Sequence, residues 1–189
     1  MMANGPARIV VGVDGSPGSA AALDWAIDEA ALRSRAQGGV GVHAVLAWQY
    51  HPRWTDPTGL GSLFLGFRPS GGGVEPYLPS TWETGAMPPS AAEMGARQED
   101  EEQVVASQLL EQALAGHTER AAQHAVSLTG TAVEGHPAHV LLQYVTPDDL
   151  LVVGSRGHGQ FAGTLLGSIS QHVVNHARCP VVVVRGGGC

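Results

Sequence analysis

Lysine is absent from this 189-residue chain: all ten basic residues are arginine. That excludes the phosphate loop built on Gly-Lys-Ser/Thr, in which a lysine must reach the outer phosphates. Positive charge is scarce altogether, and the net charge is −7. Nucleic acids and anionic membrane surfaces demand clustered cations, so neither is expected as a partner. Only two cysteines occur, Cys179 and Cys189, too few for a disulfide scaffold. Cys179 precedes an apolar strand and reads as a buried thiol; Cys189 ends a glycine-rich tail. No apolar run approaches the ~18 residues needed to cross a bilayer. The first residues lack the basic segment and apolar core of a signal peptide, which makes the cytoplasm the expected location. Gly12 to Gly18 does not form the Gly-x-Gly-x-x-Gly of a dehydrogenase, and neither a Gly-x-Ser-x-Gly elbow nor a His-Glu-x-x-His is present.

What is there is a globular composition, 43% hydrophobic, with length enough for one domain with a real core. Arg8 to Val13 is a short β-branched run of the kind buried on both faces of a parallel sheet. Asp14-Gly15-Ser16-Pro17 stops it, and Ser16 can cap a helix whose first position suits Pro17. That helix runs to about Arg35 and ends at Gly38-Gly39. A second strand covers about Val40 to Ala47. From His51 to about Gly95 neither helical nor strand periodicity is visible, and Gly and Pro abound, so residues 51–96 read as an insert into a single domain. An acidic start at Glu99-Asp100-Glu101-Glu102 opens the next helix, which fades near His124. Strands at about 126–133, 150–153 and 181–185 alternate with helices at 137–144 and 168–177. Alternation of this kind implies an α/β, doubly wound parallel sheet with helices on both faces. Ligands in such sheets bind beyond the carboxyl ends of the strands.

Two strand ends carry suitable chemistry. Gly12-Val13-Asp14 follows the first strand. Gly154-Ser155-Arg156-Gly157 follows the fourth, and nine residues later Gly167-Ser168 begins a helix. Glycines let a backbone approach an anion closely, and a helix start offers free N–H groups and a partial positive charge. The hydroxyls of Ser168 and Ser170 add donors. Asp14 is an acceptor suited to a ribose hydroxyl.

The spacing Gly-x2-Gly-x9-Gly-Ser resembles the ATP-binding signature of the universal stress protein family. Val-Gly-Val-Asp-Gly-Ser (11–16), Ala-Val-Leu-Ala-Trp (44–48) and Cys-Pro-Val-Val-Val-Val-Arg (179–185) match it too. The likeness covers roughly residues 6–50 and 97–186, and residues 51–96 fit no part of it. It implies a five-stranded Rossmann-like sheet of order 3-2-1-4-5 and a homodimer formed through the last strand, Val181 to Arg185. It implies that Gly12, Val13 and Asp14 flank the adenosine, with Ala47 on the adenine. Gly154, Arg156 and Gly157 would line the phosphates from one side; Gly167, Ser168, Ile169 and Ser170 would bind them from the helix start. The implied ligand is ATP with Mg2+, and the implied role is a stress-response regulator or sensor.

Hydrolysis needs a positioned water and a base. Asp14 is the one acid near the proposed site, and the ribose claims it, so no catalytic residue is nominated. A slow ATPase of the same fold, a cyclic-AMP or AMP sensor, and a scaffold acting through its insert stand as alternatives. His172 and His176 lie four apart on one helix face, with no third ligand at a metal-binding spacing; His136 and His139 flank another helix start. No metal site is expected from these spacings.

Overall fold

The computed structural model describes residues 8–49, 91–157 and 165–186, with backbone only at Gln37 and at residues 91–99. Two compact units divide the chain: residues 1–50 with 101–189, and residues 51–100. The second is described only over 91–100, the first turns of a helix. Most of the expected insert therefore lies outside the described residues.

The element order is β1 (Arg8–Val13), α1 (Pro17–Gln37), β2 (Gly41–Trp48), α2 (Ala91–Gln123), β3 (Leu128–Glu134), α3 (Pro137–Tyr144), β4 (Leu150–Gly154), α4 (Ser168–His176) and β5 (Val181–Val184). The strands form one sheet in the order β3-β2-β1-β4-β5, and every pairing is parallel. Val11 stands level with Ala44 of β2 and Val152 of β4. The order reverses between β1 and β4, where neighbouring crossovers leave toward opposite faces and open a crevice.

Side chains alternate across each strand, so β1 serves two cores. Ile9, Val11 and Val13 pack with Leu23 and Ile27 of α1 and Leu110 of α2. Val10 faces the other way, with Val140 and Leu141 of α3 and Val173 of α4. Leu23 and Ile27 are essentially buried, each contributing ~1.5–3 kcal/mol. Ala22, Ala26 and Ala30 on the same helix are 0% exposed, and their small side chains let α1 lie close against the sheet.

Ser16 caps α1 by accepting from the Ser19 N–H at 3.2 Å, and Pro17 opens the helix. Gly38, at φ +93°, closes it through an N–H donated to the Ser34 carbonyl. Helix α2 begins at Ala91, eight residues before the acidic cluster that marks a start in the sequence. Ala91, Ala92, Met94, Ala96 and Gln98 favour helix, and the single Gly95 does not break it. Strand β3 begins only at Leu128, because Ala125 takes φ +53° and the Val126 N–H closes α2 on the Ala121 carbonyl.

At the amino edge of the sheet, Arg8 reaches Asp149 through Nε (3.1 Å) and Nη2 (3.3 Å). Asp149 is 2% exposed and also accepts from the Thr146 N–H and hydroxyl. Burial pushes its carboxyl up, but the Arg8 and Thr146 hydrogen bonds and the Arg8 charge outweigh that and hold it below the ordinary value. Among the described residues no helix is long and apolar enough to cross a membrane.

Candidate functional site

At the carboxyl edge, between β1 and β4, lies a cavity of about 200 Å3. Gly12, Val13 and Asp14 line it from β1 and its exit, and Ala47 from β2. Gly154, Arg156 and Gly157 line it from the exit of β4. Gly167, Ser168, Ile169 and Ser170 close it from the start of α4. All the residues that the resemblance nominates thus border one space. Seven of the nine residues between Gly157 and Gly167, 158–164, lie outside the described set.

Local chemistry explains the shape. The Asp14 carboxylate turns back on its own chain, with Oδ1 accepting from the Ser16 N–H at 2.9 Å. This Asx-type turn redirects the chain from β1 into α1. The other carboxylate oxygen, Oδ2, stands where a Cβ on Gly157 would be, so any larger residue there must displace the Asp14 carboxylate. The loop after β4 is drawn equally close to α1: a Cβ on Gly154 would lie 2.7 Å from the Gly18 carbonyl carbon. Behind it, the Ser155 N–H donates to Val184 of β5, and the Ser155 carbonyl accepts from the Gly167 N–H, both at 2.7 Å. Departure and return of the loop are therefore pinned at one residue.

Helix α4 has Gly167 at its N-cap and no side-chain capping bond; its first ladder bond runs from the Gln171 N–H to the Gly167 carbonyl. The N–H groups of its first turn have no intrahelical acceptors, and the helix dipole is positive there. Ser170 is 3% exposed, and its hydroxyl donates to the Ser155 (3.1 Å) and Gly167 (3.0 Å) carbonyls. Its proton thus ties the helix start to the loop, leaving an oxygen that can accept.

Six further residues line the cavity that spacing did not single out. Ser16 and Ser19 belong to the start of α1, Val45 to β2, Pro137 and Leu141 to α3, and Val153 to β4. Val45 was within reach, since it shares a strand face with Ala47 two residues on. Leu141 was not: it comes to the cavity only because α3 packs on Val10 and Val45. The lining is therefore part apolar (Val45, Leu141, Val153, Ile169) and part polar (Asp14, Ser16, Arg156, Ser168). Asp14 is the single carboxylate among the described lining residues and Arg156 the single cation. Such a space suits a ligand with a flat apolar end and an anionic end. Cys179 is buried away from it, and burial pushes its thiol up, making it a poor nucleophile.

A parallel five-stranded sheet of this order, with a glycine-lined crevice at the β1/β4 switch point, defines a doubly wound α/β class of protein. Within that class the chain belongs to the universal stress protein family, whose model matches residues 73–185. A universal stress protein of Mycolicibacterium smegmatis is 32% identical over 177 residues, covering 94% of this chain and 45% of the relative. One from Mycobacterium tuberculosis is 43% identical over 83 residues, covering 44% of this chain and 27% of the relative. The chain thus spans less than half the length of these curated relatives. The fold is shared with the universal stress protein UspA of Lactobacillus plantarum, at a TM-score of 0.60 and 22% identity over 96% of this chain and 99% of that one. It is also shared with a universal stress protein solved in complex with cAMP, at a TM-score of 0.52 and 20% identity over 97% and 99% of the two chains.

Proposed function

We propose that the cavity takes an adenine nucleotide, ATP with Mg2+, and that the chain acts as a nucleotide-dependent stress regulator. The observation that carries this reading is the mixed lining of the cavity, apolar side chains together with the glycine-rich loop and the uncapped start of α4. In this reading adenine lies against Ala47, Val45 and Leu141. Asp14 accepts from the ribose hydroxyls. The phosphates lie between the Gly154–Gly157 backbone and the first turn of α4, with Arg156 offsetting their charge. Mg2+ would ride on the phosphates, supplying charge neutralisation there.

Asp14 already accepts from the Ser16 N–H, and no second carboxylate lines the described cavity, so the chain binds and senses rather than turning ATP over rapidly. A second copy would pair along β5, an edge strand whose four valines are all half-buried. A cyclic-AMP or AMP sensor is the second reading, favoured by the related fold solved with cAMP.

Denaturing the purified protein and identifying the released nucleotides by mass spectrometry tests the proposal. ATP released in near-stoichiometric amount supports the first reading; cAMP or AMP alone supports the second. If nothing is released and neither ATP nor cAMP raises the melting temperature, the proposal falls.

A further inference from the structure

The fold assembles a row of histidines that spacing leaves separate. His172 and His176 share a face of α4, and the packing of α3 beside α4 adds His139 and His136. Ring centroids lie 5.3 Å apart for His136–His139, 5.8 Å for His139–His172 and 4.2 Å for His172–His176. The last pair is stacked, with 20° between the ring planes. Among the described residues no group of three such side chains could hold a metal ion, so the chemistry left to the row is its charge. We propose that the row is an acid-sensitive latch: neutral rings let α3 lie against α4, and protonation in mild acid forces the two helices apart and loosens the cavity they help to wall.

Little near the row can neutralise it. Helices α3 and α4 contain no Asp, Glu or Arg. Strands β4 and β5 contribute only aliphatic side chains and Gly154. Strand β2 presents His43 to α3, but that ring is engaged by Tyr144 at the far end of the helix and by Thr129 and Thr131. Burial, then the Arg8 charge, holds His43 below its ordinary value. The nearest charges along the chain are Glu134, ahead of α3, and Arg178, after α4. His136 and His139 stand at the start of α3, where the helix dipole offers a cation no relief. His172 is half-buried. Loss of solvent, then the charges of His176, His139 and His136, holds its imidazole below the ordinary value of about 6.5. A histidine lowered in this way supports the fold fully above that ordinary value, and its support is lost as pH falls through the folded one. On α2 the situation is reversed: His117 and His124 lie 3.7 and 3.8 Å from Asp24 and Asp28, so a proton there meets a carboxylate. The latch acts on the cavity because both helices line it, α3 with Pro137 and Leu141 and α4 with Ile169 and Ser170. It does not depend on which ligand the cavity takes.

The test is hydrogen–deuterium exchange, read by mass spectrometry on ligand-free, tag-free protein at about pH 5.5 and about pH 7.5, each rate divided by the intrinsic rate at that pH. Peptides of α3 and α4 should exchange at least tenfold faster at the lower pH, while those of α1 and β1 change less than threefold. In His139→Gln/His172→Gln, which leaves His136 and His176 apart and retains His43, the α3 and α4 response should fall below threefold. His139→Gln alone should give an intermediate response, and it decides the matter if circular dichroism shows the double variant unfolded. His117→Gln/His124→Gln should keep the parent response. Exchange in α3 and α4 no faster at the lower pH overturns the proposal, as does a full parent response in a folded row variant. An acceleration spread evenly over α1 and β1 is global acid unfolding and overturns it too.

Discussion

Adding one methyl group at Gly154 should destabilise the protein by pushing α1 off the end of β4. An ideal Cβ there would lie 2.7 Å from the Gly18 carbonyl carbon, 2.8 Å from its oxygen and 3.1 Å from the Ser19 nitrogen. Carbon atoms in contact prefer about 3.5–4.0 Å. All three obstacles are backbone atoms in the capped first turn of α1, so no side chain can swing away. Overpacking of this kind costs ~1–3 kcal/mol. For a chain of this length each kcal/mol lowers the melting temperature by about 2–4 °C, which predicts a loss of about 2–12 °C for Gly154→Ala. Gly116→Ala is the control, since its Cβ would meet nothing within 4 Å. Gly116 lies inside α2, where Ala is preferred to Gly by up to ~1 kcal/mol, so that variant should gain stability. Urea unfolding followed by tryptophan fluorescence reads both. If Gly154→Ala lies within 0.5 kcal/mol of the parent, or is as stable as Gly116→Ala, the close approach of loop and helix is wrong.

Two other substitutions probe separate parts of the account. Leu141→Ala removes a 4%-exposed side chain shared by the α3 core and the cavity wall. It should cost ~2–5 kcal/mol of stability and also weaken ATP binding, measured by urea unfolding and calorimetry on the folded fraction. Asp149 has a carboxyl held below its ordinary value in the folded state. Its contribution is therefore fully present above the unfolded value, near pH 4, and is lost as pH falls through the folded one. Asp149→Asn should be less stable than the parent at pH 7, and the gap should narrow as pH drops below about 4; a gap that widens in acid contradicts the pairing with Arg8.

Much of the architecture is legible because β1, β4 and β5 advertise themselves as short aliphatic runs, such as Arg8–Val13, bounded by turn residues. The strand-to-helix loops are legible because glycine has few other reasons to recur at Gly154, Gly157 and Gly167. What escapes the sequence depends on packing between distant segments. Leu141 and Pro137 reach the cavity only after α3 docks on β2. The histidine row exists only because α3 and α4 lie side by side. Ser170 offers a hydroxyl in the sequence, yet in the fold its proton is committed to two carbonyls of the loop it closes. The start of α2 at Ala91 escapes for another reason: Ala91–Gln98 carries no apolar stripe, and the Ser90-x-x-Glu93 capping-box spacing that does announce it sits inside the Gly- and Pro-rich stretch.

The central claim is that a nucleotide lies between the β4 exit loop and the start of α4, and calorimetric titration with Mg·ATP tests it most directly. The parent protein should bind one ATP per chain. Gly157→Val, whose side chain would occupy the place of the Asp14 carboxylate oxygen, should weaken binding at least tenfold while its circular dichroism stays unchanged. No saturable binding by the parent, or equal affinity in the folded variant, would contradict the account.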